Sequence, residues 1–141
     1  MKQMIAAAAV AVLLAGPALA GNDSRLPSPE NAAVRIIAPA DGATVASPVT
    51  VVFGLTGMGV APAGVDKPNT GHHHLLVNRE LPTFDAPVPA DETSLHYGGG
   101  QTETTLELPA GTHTLQLLLG DWRHVPHDPA VYSDVVTITV E

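Results

Sequence analysis

Short apolar runs rich in β-branched residues recur from Val34 to the C-terminus, and a glycine or proline turn cuts off each one before it is long enough for a helix. Val34 to Ala38 stops at Pro39-Ala40-Asp41-Gly42, and Val49 to Leu55 runs into a glycine- and proline-rich loop that extends from Gly57 to Gly71. His72 to Val77 and Thr104 to Leu108 follow, and Pro109-Ala110-Gly111 turns the chain into Thr112 to Leu119; Val131 to Val140 closes it. The segment Leu81 to Ala90 carries Pro82, Pro87 and Pro89, which confine it to an extended edge. With that segment the runs predict about seven strands and no convincing amphipathic helix, the pattern of an all-β, immunoglobulin-like Greek-key β-sandwich. The strand pairing stays open.

Aromatic residues make up only 4% of the chain, so such a core has to be built from Val, Leu, Ile and Ala. Without cysteine there is neither a disulfide framework nor a thiolate site, and stability rests on packing. Met1 to Ala20 has a basic start at Lys2, an apolar run from Ile5 to Leu14 and a small-residue cleavage site at Ala18-Leu19-Ala20. These are the marks of a secretory signal peptide, and they predict a periplasmic or secreted protein. Gly16-Pro17 breaks the run well short of the roughly 20 apolar residues that a membrane anchor needs. Residues 21–33, with Pro27 and Pro29, read as a flexible segment leading into a single domain over 34–141.

Loss of Lys2 with the leader leaves five Lys and Arg against fourteen Asp and Glu, a formal charge of −9 with neutral histidines. A surface of that sign repels nucleic acid and anionic lipid and suits cations.

The chemistry-bearing stretch is Gly71-His72-His73-His74-Leu75-Leu76-Val77. On a strand, the period of two puts His72 and His74 on one face, about 6.5–7 Å apart along the chain, and turns His73 to the other. Two imidazoles so placed can share a metal ion if further ligands arrive from elsewhere. His96, His124 and His127 are the candidates, with Met58 as a thioether donor from the long loop. Each of them also has a plainer reading, at a sheet rim, in a solvated turn or as a core plug. His113 falls on the same strand face as Leu115, Leu117 and Leu119. It sits just after a turn, where a ring that bonds back to the backbone braces a sandwich, as in a tyrosine corner. Pro126 stiffens the loop that holds His124 and His127.

Four stretches together carry a resemblance. They are Phe53-Gly54-Leu55 with Gly57 to Gly64, Gly71 to Val77, His96-Tyr97-Gly98-Gly99-Gly100-Gln101-Thr102-Glu103, and Gly111 to Asp121. In them the chain resembles a bacterial family of exported proteins known as domain of unknown function 4399, over roughly Val34 to Val140. The resemblance implies a single exported β-rich domain and brings no activity with it.

Two functions from different classes fit these residues. One is a periplasmic metal-binding protein with a histidine cluster for capture, buffering or delivery, copper being expected first from the affinity order of imidazole sites and zinc second. The other is a non-metal immunoglobulin-like module that recognises a protein or cell-envelope partner through its histidine and tryptophan loops. An enzyme has less to stand on: there is no G-x-S-x-G elbow, cysteine nucleophile, phosphate-binding glycine loop or H-E-x-x-H motif. The His-x-His tripeptide is shared with copper-zinc superoxide dismutase, but the likeness goes no further, which leaves copper redox chemistry as the one specific enzymatic option.

Overall fold

A computed structural model describes residues 25–141. The leader expected over Met1 to Ala20 lies outside the described residues. Nine strands form, β1 (Ala33–Ala38), β2 (Thr44–Val45), β3 (Val49–Thr56), β4 (Gly59–Val60), β5 (Thr70–Val77), β6 (Ser94–His96), β7 (Glu103–Leu106), β8 (Gly111–Gly120) and β9 (Val136–Val140), and there is no helix among the described residues. They make a three-stranded sheet in the order β1-β3-β7 and a six-stranded sheet in the order β2-β9-β8-β5-β4, with β6 also paired to β5. The fold is all-β and consistent with a β-sandwich.

The strand period decides what lies between the sheets. Val49, Val51 and Phe53 of β3 meet Leu75 and Val77 of β5, Leu115, Leu117 and Leu119 of β8, and Val136, Ile138 and Val140 of β9 in one buried cluster. The alternate residues of β5 and β8 point away from that cluster, yet His72, His74, Leu76 and Leu118 are as fully buried as the core itself. A strand buried on both faces reads as a near-continuous apolar run, which is what Leu75-Leu76-Val77 and Leu117-Leu118-Leu119 show. The connections after β5 and β8 come together on this outer side, where Val88 N–H donates to His124 O at 2.8 Å and the Phe84 ring stacks on Tyr132.

His113 braces the start of β8 as expected. Its Nε2–H donates to Pro109 O at 2.8 Å, so Nδ1 carries the lone pair that accepts from Asn78 Nδ2 at 2.9 Å. The Asn78 Oδ1 in turn accepts from Thr114 N–H at 3.0 Å.

The structure departs from the strand count in three places. Residues 81–90 form no strand, since each proline lacks the N–H that pairing requires. The first half of Val131 to Val140 is irregular and meets β8 through a bridge between Tyr132 and Leu118 and through Ser133, whose carbonyl accepts from Gln116 Nε2 at 2.7 Å and whose Oγ accepts from Leu117 N–H at 2.9 Å. The two-residue strands β2 and β4 and the short β6 make up the difference. The segment expected to be a flexible tether also differs from Arg25 onward. Arg25 donates through Nε and Nη2 to the carbonyls of Pro126 and His127, Ser28 Oγ donates to Pro129 O, and Pro27 bridges to Asp128. These long-range bonds hold residues 25–28 against the loop that follows β8.

Candidate metal centre

The ladder that surrounds β5 assembles the site. Its pleat turns His72 and His74 to the outer side and His73 to the inner side, where the His73 ring centroid lies 5.1 Å from that of Phe53. On one edge β6 pairs antiparallel and sets His96 opposite His74. On the other edge β8 sets Gly120 opposite His72. Beyond Gly120 the chain turns at once and brings His124 back over the same side.

That turn is organised by Asp121, whose side chain is fully buried. Its Oδ1 accepts from Arg123 N–H at 2.7 Å and Val125 N–H at 3.0 Å, and its Oδ2 accepts from the Arg123 guanidinium at 2.8 and 3.2 Å. An aspartate that bonds the backbone two residues on is an Asx-turn. The turn holds His124 at φ 70, a left-handed conformation unusual for a residue with a side chain.

Four imidazoles result. His72, His74, His96 and His124 each offer one ring nitrogen, and these nitrogens all lie within 4.8 Å of one another. His72 Nε2 is 3.1 Å from His124 Nδ1 and 3.2 Å from His96 Nε2. His72 and His74 are fully buried, His124 is partly buried and His96 is exposed, so the group opens to solvent on the side of the last two. Two glycines make room for it. A Cβ at Gly120 would stand 2.8 Å from His74 Cε1 and 3.2 Å from the His124 backbone; one at Gly98 would fall 2.3 Å from His96 Cε1.

Protons cannot satisfy this arrangement. A neutral imidazole nitrogen has one in-plane site, a hydrogen or a lone pair, yet His72 Nε2 faces two ring nitrogens at hydrogen-bond distance. Neither nitrogen of His74 has a hydrogen-bond partner among the described residues, and both are buried. Leaving such a group unpaired costs about 1–3 kcal/mol. Charging the rings is worse. Burial, then the neighbouring His124 and His96, push His72 down to about 4, against a smaller opposing pull from Asp121. Burial and the rings of His72, His96 and His124 push His74 down to about 3, against a smaller opposing pull from the Leu118 backbone carbonyl. His96 is also lowered, by burial and then by His124. His72, His74 and His96 are thus held neutral near pH 7, which is the state in which imidazole binds metal.

Of the candidates picked from the sequence, the structure brings together His72, His74, His96 and His124. His127 stands outside that group: it is buried, and its Nε2–H donates to Thr70 O at 3.2 Å. Burial lowers its pKa, and the Asp121 carboxylate opposes this. Met58 packs, partly buried, against the core cluster. Asp121 and Gly120 escaped the sequence reading.

The family model described as Domain of unknown function (DUF4399) matches residues 51–141. The chain belongs to that family. The match begins inside β3 and contains all four histidines of the cluster as well as Gly98, Gly120 and Asp121, while β1 and β2 precede it. No curated protein and no solved structure matches the chain.

Proposed function

We propose that this is an exported, periplasmic protein that binds one transition-metal ion, copper or zinc, through His72, His74, His96 and His124, and that it serves to capture, buffer or deliver that ion. The observation that carries this reading is the convergence of three ring nitrogens, those of His72, His96 and His124, beside a His74 that has no partner of its own. A cation at their centre gives every lone pair an acceptor, whereas hydrogen atoms leave at least one contact repulsive. Neutral imidazole suits both metals. The leader-like N-terminus and the acidic composition support an exported cation-binding protein.

Calorimetric titration of the protein with zinc and with copper tests the site, with His74→Ala as the comparison. We expect one equivalent bound and affinity at least tenfold lower in the variant. Equal affinities would reject the site and leave a module for a protein or envelope partner as the better reading. Elemental analysis of protein purified from its native compartment then identifies the physiological ion.

A further inference from the structure

The six distances among the four rings carry information about the shape of the site. Five of the centroid separations fall between 4.8 and 5.1 Å, and only the pair His74 and His124 is wider, at 6.1 Å. Tetrahedral coordination with metal–nitrogen bonds of about 2.0–2.1 Å puts every pair of donor nitrogens about 3.3 Å apart and every pair of ring centroids about 5.2 Å apart. A square plane with the same bonds needs four neighbouring pairs with centroids at about 4.5 Å and two opposed pairs at about 6.4 Å, with opposed nitrogens at about 4.1 Å.

The opposed pairs decide between them. If His74 and His124 stood across a square, His72 and His96 would have to stand across it too. Those two rings are instead 5.0 Å apart, with their Nε2 atoms at 3.2 Å. The four rings therefore lie at the corners of a slightly stretched tetrahedron. The wide edge runs to His124, which sits on a turn and is partly exposed, so it is the ring best placed to move in around an ion and bring donor nitrogens that now span up to 4.8 Å toward the tetrahedral separation.

Resting on the metal-binding reading of these same residues, we infer that the site is built for a closed-shell cation in tetrahedral coordination, zinc(II) or copper(I), rather than for cupric copper in a square plane. Closed-shell ions have no geometric preference from their d electrons and accept a tetrahedron without strain, whereas cupric copper favours a tetragonal arrangement. Four protein ligands also fill a tetrahedron and leave no position for a water or a substrate, which separates the site from hydrolytic zinc centres with three. The exposed side, at His96 and His124, is where an incoming donor can replace a ligand during transfer.

The test uses the protein stripped of metal with a chelator and titrated with cobalt(II), whose visible bands are intense in a tetrahedral field and weak in an octahedral one. We expect intense bands that saturate at one equivalent and are bleached by one equivalent of zinc(II). A parallel titration with copper(I) under anaerobic reducing conditions separates the two closed-shell ions by which displaces cobalt at lower concentration. Added cupric copper should give an electron paramagnetic resonance spectrum distorted from the tetragonal form. Saturable binding with weak cobalt bands, or an ordinary tetragonal cupric spectrum, would overturn the tetrahedral assignment while leaving the metal site intact. Failure of every ion to bind would overturn both. In His124→Ala, with folding checked by circular dichroism, water can take the vacated position, so the cobalt bands should shift and the affinity fall at least tenfold, and an unchanged spectrum with unchanged affinity would equally contradict the assignment.

Discussion

Gly120 stands opposite His72 in the β5–β8 ladder, and the space where its side chain would be is taken by the His74 ring and the His124 backbone. The cluster therefore depends on a residue that contributes no ligand. In Gly120→Ala the new Cβ meets His124 backbone as well as a ring edge, so rotation of one side chain does not relieve it. We expect a loss of about 1–3 kcal/mol in stability and at least a tenfold fall in metal affinity, measured by denaturant unfolding and calorimetry.

His74 should oppose stability in the absence of metal. Both of its ring nitrogens are buried without partners. In His74→Leu, with chelator present, stability should rise by about 1–2 kcal/mol, because an unpaired polar group is replaced by an apolar one of similar bulk. Metal binding should be lost at the same time. A ring retained for structure alone would show the opposite sign in urea.

The metal-free protein should weaken as the solution is acidified. His72 and His74 are held down to about 4 and about 3 by burial and by one another's neighbours, whereas the same rings titrate near 6.5 once unfolded. Between those values the unfolded chain binds protons that the folded chain refuses, so stability is full above about pH 6.5 and falls progressively below it. The loss should level off only below about pH 3, after several kcal/mol summed over both rings. Bound metal should delay the onset, since protons must then compete with the ion. Urea midpoints measured from pH 7 to pH 4, with and without zinc, check both parts.

His113 belongs to a different network. Its ring joins Pro109 O to Asn78, and Asn78 holds Thr114. His113→Ala should lower the stability by about 1–3 kcal/mol and leave metal affinity unchanged within twofold. A large fall in affinity would mean that the start of β8 and the cluster are more tightly coupled than the contacts imply.

Much of this was legible before any coordinates. The period of two placed His72 and His74 on one face of β5 and His73 on the other, and it put His113 with Leu115, Leu117 and Leu119 on one buried face of β8. What could not be read was register. His96 reaches the site because β6 pairs with β5 across the proline-rich connection, and nothing local to Ser94-Leu95-His96 reports that partner. His124 arrives through an Asx-turn whose aspartate looked like any of fourteen carboxylates, although Gly120-Asp121 ahead of a short polar loop is the signal that betrays it. Two-residue strands such as β2 and β4 are too short for any periodicity to show. The docking of Arg25 depends on carbonyls about a hundred residues away, which local composition cannot reveal.

Anomalous scattering from crystals of the zinc-loaded protein, collected at the zinc absorption edge, tests the central claim most directly. A single strong peak should lie about 2.0–2.1 Å from one ring nitrogen of each of His72, His74, His96 and His124. A peak elsewhere on the molecule, with these four rings free of metal, would contradict it.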